Sequence, residues 1–120
     1  MQWRDDQPIY RQLYQRMVAL IVAGDIAPGE ALPSVRQVAA DYQINHLTVA
    51  KAYQALVDEQ LVEKRRGLGM FVRAGADVRL REREREQFVQ QLPELLAQAR
   101  RLGMDKEALV KAINSLKEES

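Results

Sequence analysis

Apolar residues first recur with a helical period after Pro8. Ile9, Leu13, Met17, Leu20 and Ile21 fall at i, i+4, i+8, i+11 and i+12, one face of a helix. Proline suits the first helical position, because its missing N–H would be unpaired there. Gly24 suits the end, as a left-handed cap. Asp25 to Pro33 then reads as a loop, with turn chemistry at Pro28-Gly29 and a Pro33 that disfavours helix before it.

A second, short helix is predicted from Ser34 to about Tyr42. Ser34 and Gln37 have the spacing of a capping box, and Val35, Val38 and Ala39 give an apolar face. Gln43 and Ile44 make a tight connection. Asn45 is a good N-cap for a third helix. There Val49, Ala52, Tyr53 and Leu56 face inward, and His46, Thr48, Lys51 and Gln54 fall on or near the opposite face. After Gln60 the period shortens. Leu61–Lys64 and Met70–Arg73 are strand-forming runs around Arg65-Arg66-Gly67-Leu68-Gly69, which predicts a β-hairpin.

Ala74-Gly75-Ala76 is the predicted boundary, dividing residues 1–75 from 76–120. Beyond it Arg79, Arg81, Arg83 and Arg85 alternate with Glu82, Glu84 and Glu86, most simply a solvated helix face. Phe88, Leu92, Leu95, Leu96, Ala99 and Leu102 then form a near-heptad stripe. Pro93 either kinks or divides that helix. Gly103 closes it, Asp105 caps a last helix bearing Leu109, Ile113 and Leu116, and residues 118–120 are expected to fray.

Composition narrows the function. The chain has 120 residues, no cysteine and one histidine, His46. Disulfides and cysteine-ligated zinc are excluded, and a histidine metal cluster or triad is improbable. Asp41, Asp58 and Glu59 lack a second convergent group for catalysis. No metal, no cofactor and no enzyme activity are expected. No apolar run approaches the roughly 18–20 residues of a membrane span. Met1 to Gln7 carries Arg4, Asp5 and Asp6 without an apolar core, so a cytoplasmic protein with no membrane partner is the expectation. The formal net charge is only +1, so any nucleic-acid surface depends on where cations fall and not on their excess.

Helices two and three have the make-up of a helix-turn-helix. A recognition helix needs one face anchored in a core and another presenting short polar and cationic groups to base edges. Asn45, His46, Thr48 and Lys51 meet that demand near the start of the third helix. Ser34 and Arg36 are placed to hold a backbone phosphate. Lys64, Arg65, Arg66 and Gly67 suit a thin cationic loop lying along a duplex. Tyr42 and Tyr53 are better explained as core than as stacking platforms.

Residues 8–73 resemble, in order and spacing, the N-terminal DNA-binding domain of the GntR family. The resemblance is carried by Pro8-Ile9-Tyr10, Gly24 to Ala39, Thr48 to Leu56 and Gly67-Leu68-Gly69-Met70-Phe71-Val72. The tail looks like the short two-helix segment of the YtrA-type branch. The resemblance implies DNA contact by Arg36, His46, Thr48 and Lys51, with Gly67 at the wing tip. The family usually carries Ser-Arg or a close variant where this chain has Asn45-His46-Leu47. It also implies a transporter operon as a plausible target.

The expected fold is therefore mostly α with a small β-hairpin: a winged helix-turn-helix domain, then a short α-helical dimerisation segment. The expected function is a DNA-binding transcriptional regulator, a repressor, acting as a homodimer on a palindromic operator of double-stranded DNA. Phe88, Leu92, Leu95, Leu96, Ala99, Leu102, Leu109, Ile113 and Leu116 would leave a large apolar patch on a monomer, which a two-fold partner hides. The competing reading of the tail folds it back on its own domain. The competing function is a protein-interaction adaptor on the same scaffold. An unidentified small-molecule effector is kept as a partner class, with no residue set that specifies one.

Overall fold

The computed structural model describes residues 3–118. The chain forms two compact units that divide between Glu82 and Arg83. The first contains α1 (Ile9–Ala23), α2 (Val35–Tyr42), α3 (His46–Asp58), β1 (Val62–Arg65), β2 (Gly69–Val72) and the start of α4 (Ala76–Val89). The second holds the end of α4, then α5 (Leu92–Arg101) and α6 (Lys106–Asn114). The architecture is mostly helical with one two-stranded antiparallel hairpin.

The core of the first unit takes Leu13, Met17 and Ile21 from α1, Val38 and Ala39 from α2, and Val49, Ala52, Tyr53 and Leu56 from α3. The inward stripe of α3 is the expected one. In α1, Ile9 is exposed, and Tyr14 and Val18 are buried beside Leu13 and Met17. Pro8 stands one position earlier than expected, as N-cap, its carbonyl accepting from the N–H groups of Arg11 and Gln12. Gly24 ends the helix at φ 86°, where a Cβ would be strained. Ahead of α1, the Gln12 side-chain amide donates to the carbonyls of Arg4 and Gln7 and folds that segment back.

Ser34 Oγ accepts from the Gln37 N–H at 3.0 Å, capping α2. The reciprocal half of the expected capping box does not form. Gln37 instead donates its side-chain amide to Asp41 Oδ1, one turn along the same helix, at 2.8 Å.

The segment before α2, read from sequence as a loop, contributes to the sheet. Gly29 N–H donates to Val72, Leu32 N–H to Met70, and Val72 N–H back to Glu30. An isolated bridge joins Ala31 to Phe71. The hairpin is thus held on the β2 side by a third stretch of extended chain.

Ala76 and Leu80 are fully buried in the core of the first unit. The change of composition after residue 75 marks where α4 begins, and the compact unit runs on to Glu82. Two arginines of the charge run are not simply solvated. Arg79 Nη2 donates to the carbonyl of Gln60 at 2.7 Å and of Glu59 at 3.3 Å, just past the end of α3. Arg81 Nε donates to the Val22 carbonyl at 3.2 Å, in the last turn of α1. Cations there satisfy orphan carbonyls and oppose the negative helix end.

Pro93 divides the tail helix. α4 ends at Val89, and Pro93 lies in the first turn of α5. Its ring would collide with the carbonyl four residues back, and it has no N–H to give. In the second unit α5 packs against α6. Asp105 Oδ1 accepts from Ala108 N–H at 2.8 Å and starts α6. Ala99 is buried and Leu96 and Leu109 half-buried, while Phe88, Leu92, Leu95, Leu102 and Ile113 are exposed. Leu116 falls past the end of α6, not on its face as expected. Of the residues expected to fray, Glu119 and Ser120 lie outside the described ones.

Tyr53 connects this core to the segment before α2. It is almost wholly buried, and its hydroxyl donates to the Pro33 carbonyl at 2.6 Å. Burial pushes the phenol above its ordinary value of 10.0, and Tyr42 adds in the same direction. A folded value above the unfolded one means stability is intact below about pH 10 and is lost as pH rises beyond it. Tyr53→Phe is expected to cost about 1 kcal/mol in a urea melt at neutral pH. It should also flatten the alkaline loss. An equal decline of both proteins between pH 10 and 12 would rule out this origin.

Candidate nucleic-acid interface

Three local features aim the start of α3 outward. Gln43 takes a left-handed conformation, φ 55° and ψ 49°, at a cost on the order of 1 kcal/mol for a residue with a Cβ. That lets the chain leave α2 and turn within three residues. Asn45 Oδ1 then accepts from Leu47 N–H at 2.7 Å and caps α3. The buried stripe of Val49, Ala52, Tyr53 and Leu56 fixes the helix rotation. Asn45, His46, Leu47, Ala50, Lys51 and Gln54 are left exposed, and Thr48 is half-buried.

A groove of about 380 Å³ joins three elements. Pro33, Ser34 and Val35 line it from the start of α2, Ala50, Tyr53 and Gln54 from α3, and Lys64, Leu68, Gly69 and Met70 from the hairpin. A second depression of about 370 Å³ is lined by Arg36, Ala39 and Ala40 with Ile44, Asn45 and His46. The first brings Ser34 and Lys64 together, and the second Arg36, Asn45 and His46. The start of α2 borders both.

The hairpin separates three cations that are consecutive in sequence. β1 and β2 pair antiparallel, Val62 opposite Val72, Lys64 opposite Met70 and Arg65 opposite Gly69. Side chains alternate between the faces of a strand. Lys64 therefore shares a face with Val62 and turns to the groove beside α3. Arg65 turns to the other face. Its Nε and Nη2 donate to Glu63 Oε1 at 3.2 and 3.0 Å, and its guanidinium lies 4.2 Å from the Phe71 ring centre. The strands also reach further than the sequence suggests, because Arg65 and Gly69 are both paired. Arg66, Gly67 and Leu68 alone form the turn, closed by Leu68 N–H to the Arg65 carbonyl at 2.9 Å. Gly67 has φ 75°, a conformation that excludes most other residues there.

Lys51 is also engaged. Its Nζ lies 4.1 Å from the centre of the Tyr10 ring, at the start of α1. Arg36, His46, Lys64 and Arg66 have no ion pair or side-chain hydrogen bond among the described residues. Leu47 and Ala50 carry no polar group, so their chemistry alone does not mark them in the sequence. Their signal was geometric: at i, i+3 they lie away from the buried stripe. Among the described residues no group of His, Cys, Asp and Glu is arranged to hold a metal, and no helix is long and apolar enough to cross a membrane.

A helix pair with a tight turn, an exposed polar start to its second helix and a flanking hairpin define a winged helix-turn-helix. Comparison with known proteins carries this further. The pattern of the bacterial regulatory proteins of the gntR family matches residues 9–72. The chain belongs to the GntR family and is a DNA-binding transcriptional regulator, not an enzyme. It is 37% identical to the HTH-type transcriptional repressor YtrA of Bacillus subtilis, over 88% of this chain and 82% of that one. A crystal structure of a transcriptional regulator from Oenococcus oeni superposes with a TM-score of 0.79 at 26% identity, covering 95% of this chain and 94% of that one. The DNA-binding domain of AraR, in complex with operator ORX1, matches 55% of this chain and 80% of its own, with a TM-score of 0.54 and 27% identity.

Arg66 and Arg65 should respond differently to substitution. Arg66→Ala is expected to reduce the slope of log affinity against log salt by about 1 per bound subunit. Arg65→Ala should change that slope less and lower thermal stability, since it loses Glu63 and the Phe71 ring. Fluorescence anisotropy from 50 to 200 mM salt separates them; equal slopes for the two variants would contradict the division of roles.

Proposed function

We propose that this chain represses transcription as a homodimer on a palindromic operator. The start of α3 enters the major groove of each half-site, with Asn45, His46 and Thr48 reaching base edges. Ser34 and Arg36 hold the backbone at the start of α2. The hairpin lies along the duplex, with Lys64 and Arg66 on phosphates and Gly67 at the tip. Lys51 and Arg65 take part from positions already tied to Tyr10 and Glu63, so their first duty is to hold α1 and the wing.

The observation that carries this reading is the shared groove. Ser34, Gln54 and Lys64, from three separate elements, line one cavity. A duplex needs a helix and a wing on one side, and that juxtaposition supports such a surface. Repression is inferred from the similarity to the repressor YtrA, and residence in the cytoplasm fits a regulator that binds DNA. A small-molecule effector is compatible with this reading and has no assigned site.

The second unit supports dimerisation. Leu102 is 79% exposed, Phe88 65% and Ile113 52%. A shallow groove of about 480 Å³ is lined by Phe88, Leu92 and Leu95. A two-fold partner would cover these surfaces and set two copies of α3 about one helical turn of DNA, or a multiple, apart.

Selection of bound duplexes from a random pool tests the reading. Inverted half-sites at a fixed spacing are the expected outcome; recovery of no preferred sequence would favour a protein-interaction adaptor. Leu102→Glu with Ile113→Glu, in the full chain, should give monomers by sedimentation and weaken operator binding about a hundredfold or more, because the second half-site is no longer tethered. A double variant that still sediments as a dimer would move the interface elsewhere.

A further inference from the structure

We propose that Leu47 reads the methyl group of a thymine in each half-site. The inference rests on α3 entering the major groove, and it names a base chemistry for that contact.

Leu47 is the second residue of α3 and is 77% exposed. A single exposed leucine is unremarkable in most places. Here the position changes its meaning. Its backbone N–H is taken by the Asn45 cap at 2.7 Å, so Leu47 offers no main-chain donor to a phosphate. Its side chain lies opposite the buried stripe of Val49, Ala52, Tyr53 and Leu56, so it has no role in the core.

The residues around it sharpen the contact. Ala50, one turn on, is exposed and small, and leaves space for a base edge beside Leu47. Lys51, at i+4, has its ammonium over Tyr10, 4.1 Å from the ring centre, and is drawn away from this spot. Gln54 donates to Asp58 Oδ1 at 2.9 Å and is occupied further along the helix. The central part of the presented face is therefore apolar, flanked by His46.

The major-groove edges of the four unmodified bases carry hydrogen-bonding groups, and the C5 methyl of thymine is the apolar group among them. A leucine set against any other edge removes water from polar atoms and returns no hydrogen bond. Against thymine it covers a methyl. Both terms favour thymine, and the second is isolated by removing the methyl alone.

The experiment uses the full chain and a duplex recovered from the random pool. Each thymine is replaced, one position at a time, by deoxyuridine, which keeps base pairing and deletes the methyl. Affinities are measured by anisotropy for the unaltered protein, Leu47→Ala and Leu47→Met. One deoxyuridine position per half-site is expected to weaken the unaltered protein about fourfold, the worth of one buried methyl-sized group. Leu47→Met should retain that sensitivity. Leu47→Ala should lose it, while still responding to base changes elsewhere in the site. Since Leu47 is exposed, both variants should melt with the unaltered protein. Sequence-specific binding with no methyl-sensitive thymine, or with the same sensitivity in Leu47→Ala, overturns the inference and leaves the proposed function standing. Absence of any preferred sequence overturns both.

Discussion

The arrangement of the surface proposed to face DNA depends on the packing of Tyr53. Its ring is buried in the core of the first unit and also forms part of the groove wall. Its hydroxyl ends on the carbonyl of Pro33, the residue before the Ser34 cap. Tyr53 thus joins the buried stripe that fixes the rotation of α3 to the entry of α2. A rotation of α3 by one residue, about 100°, would bury His46 or expose Val49. The core forbids that, because interiors packed to crystal-like density have no alternative place for the ring.

From α3 the constraint passes to the wing. Leu61 and Val62 are in the same core, and β2 is stitched on its other side to residues 29–32. Arg79 ties α4 to the end of α3, and Arg81 ties it to the end of α1. The proposed DNA face is therefore made of short elements, none of which is stable alone. Each is fixed by contacts to the core of the first unit. A net charge of +1 is compatible with DNA binding because the local placement of cations, and not their excess, sets the field that a duplex meets.

Much of this was legible in the chain. The periodicity of α1, α2 and α3 was strong, Ser34, Asn45 and Asp105 cap where their side-chain oxygens predict, and Pro93 marked an interruption whose form, a division and not a kink, only the structure gives. The glycines of the turn marked the hairpin. The unread features share a cause: they depend on partners distant in sequence. Glu30, Ala31 and Leu32 pair with β2, but three residues between a glycine and a proline carry no strand period. Ala76 and Leu80 are core, but two apolar positions beside a run of charge look like a solvated helix. Arg79 and Arg81 look like surface pairs until the carbonyls they meet are known. For the candidate site, Arg36, His46 and Lys64 were readable as exposed cationic or polar groups. The ties of Lys51 to Tyr10 and of Arg65 to Phe71 were not.

The alternation along β1 has an evolutionary consequence. Lys64 and Arg65 serve opposite sides of a two-stranded ribbon whose inner edge is fixed by Val62 and Val72. Adding or deleting one residue between Val62 and Lys64 would exchange their duties, sending the lysine to Phe71 and the arginine to the groove. Lengthening by two would preserve them. Wings descended from this ancestor should therefore drift in length by even steps in that strand, with odd steps confined to the turn at Arg66, Gly67 and Leu68.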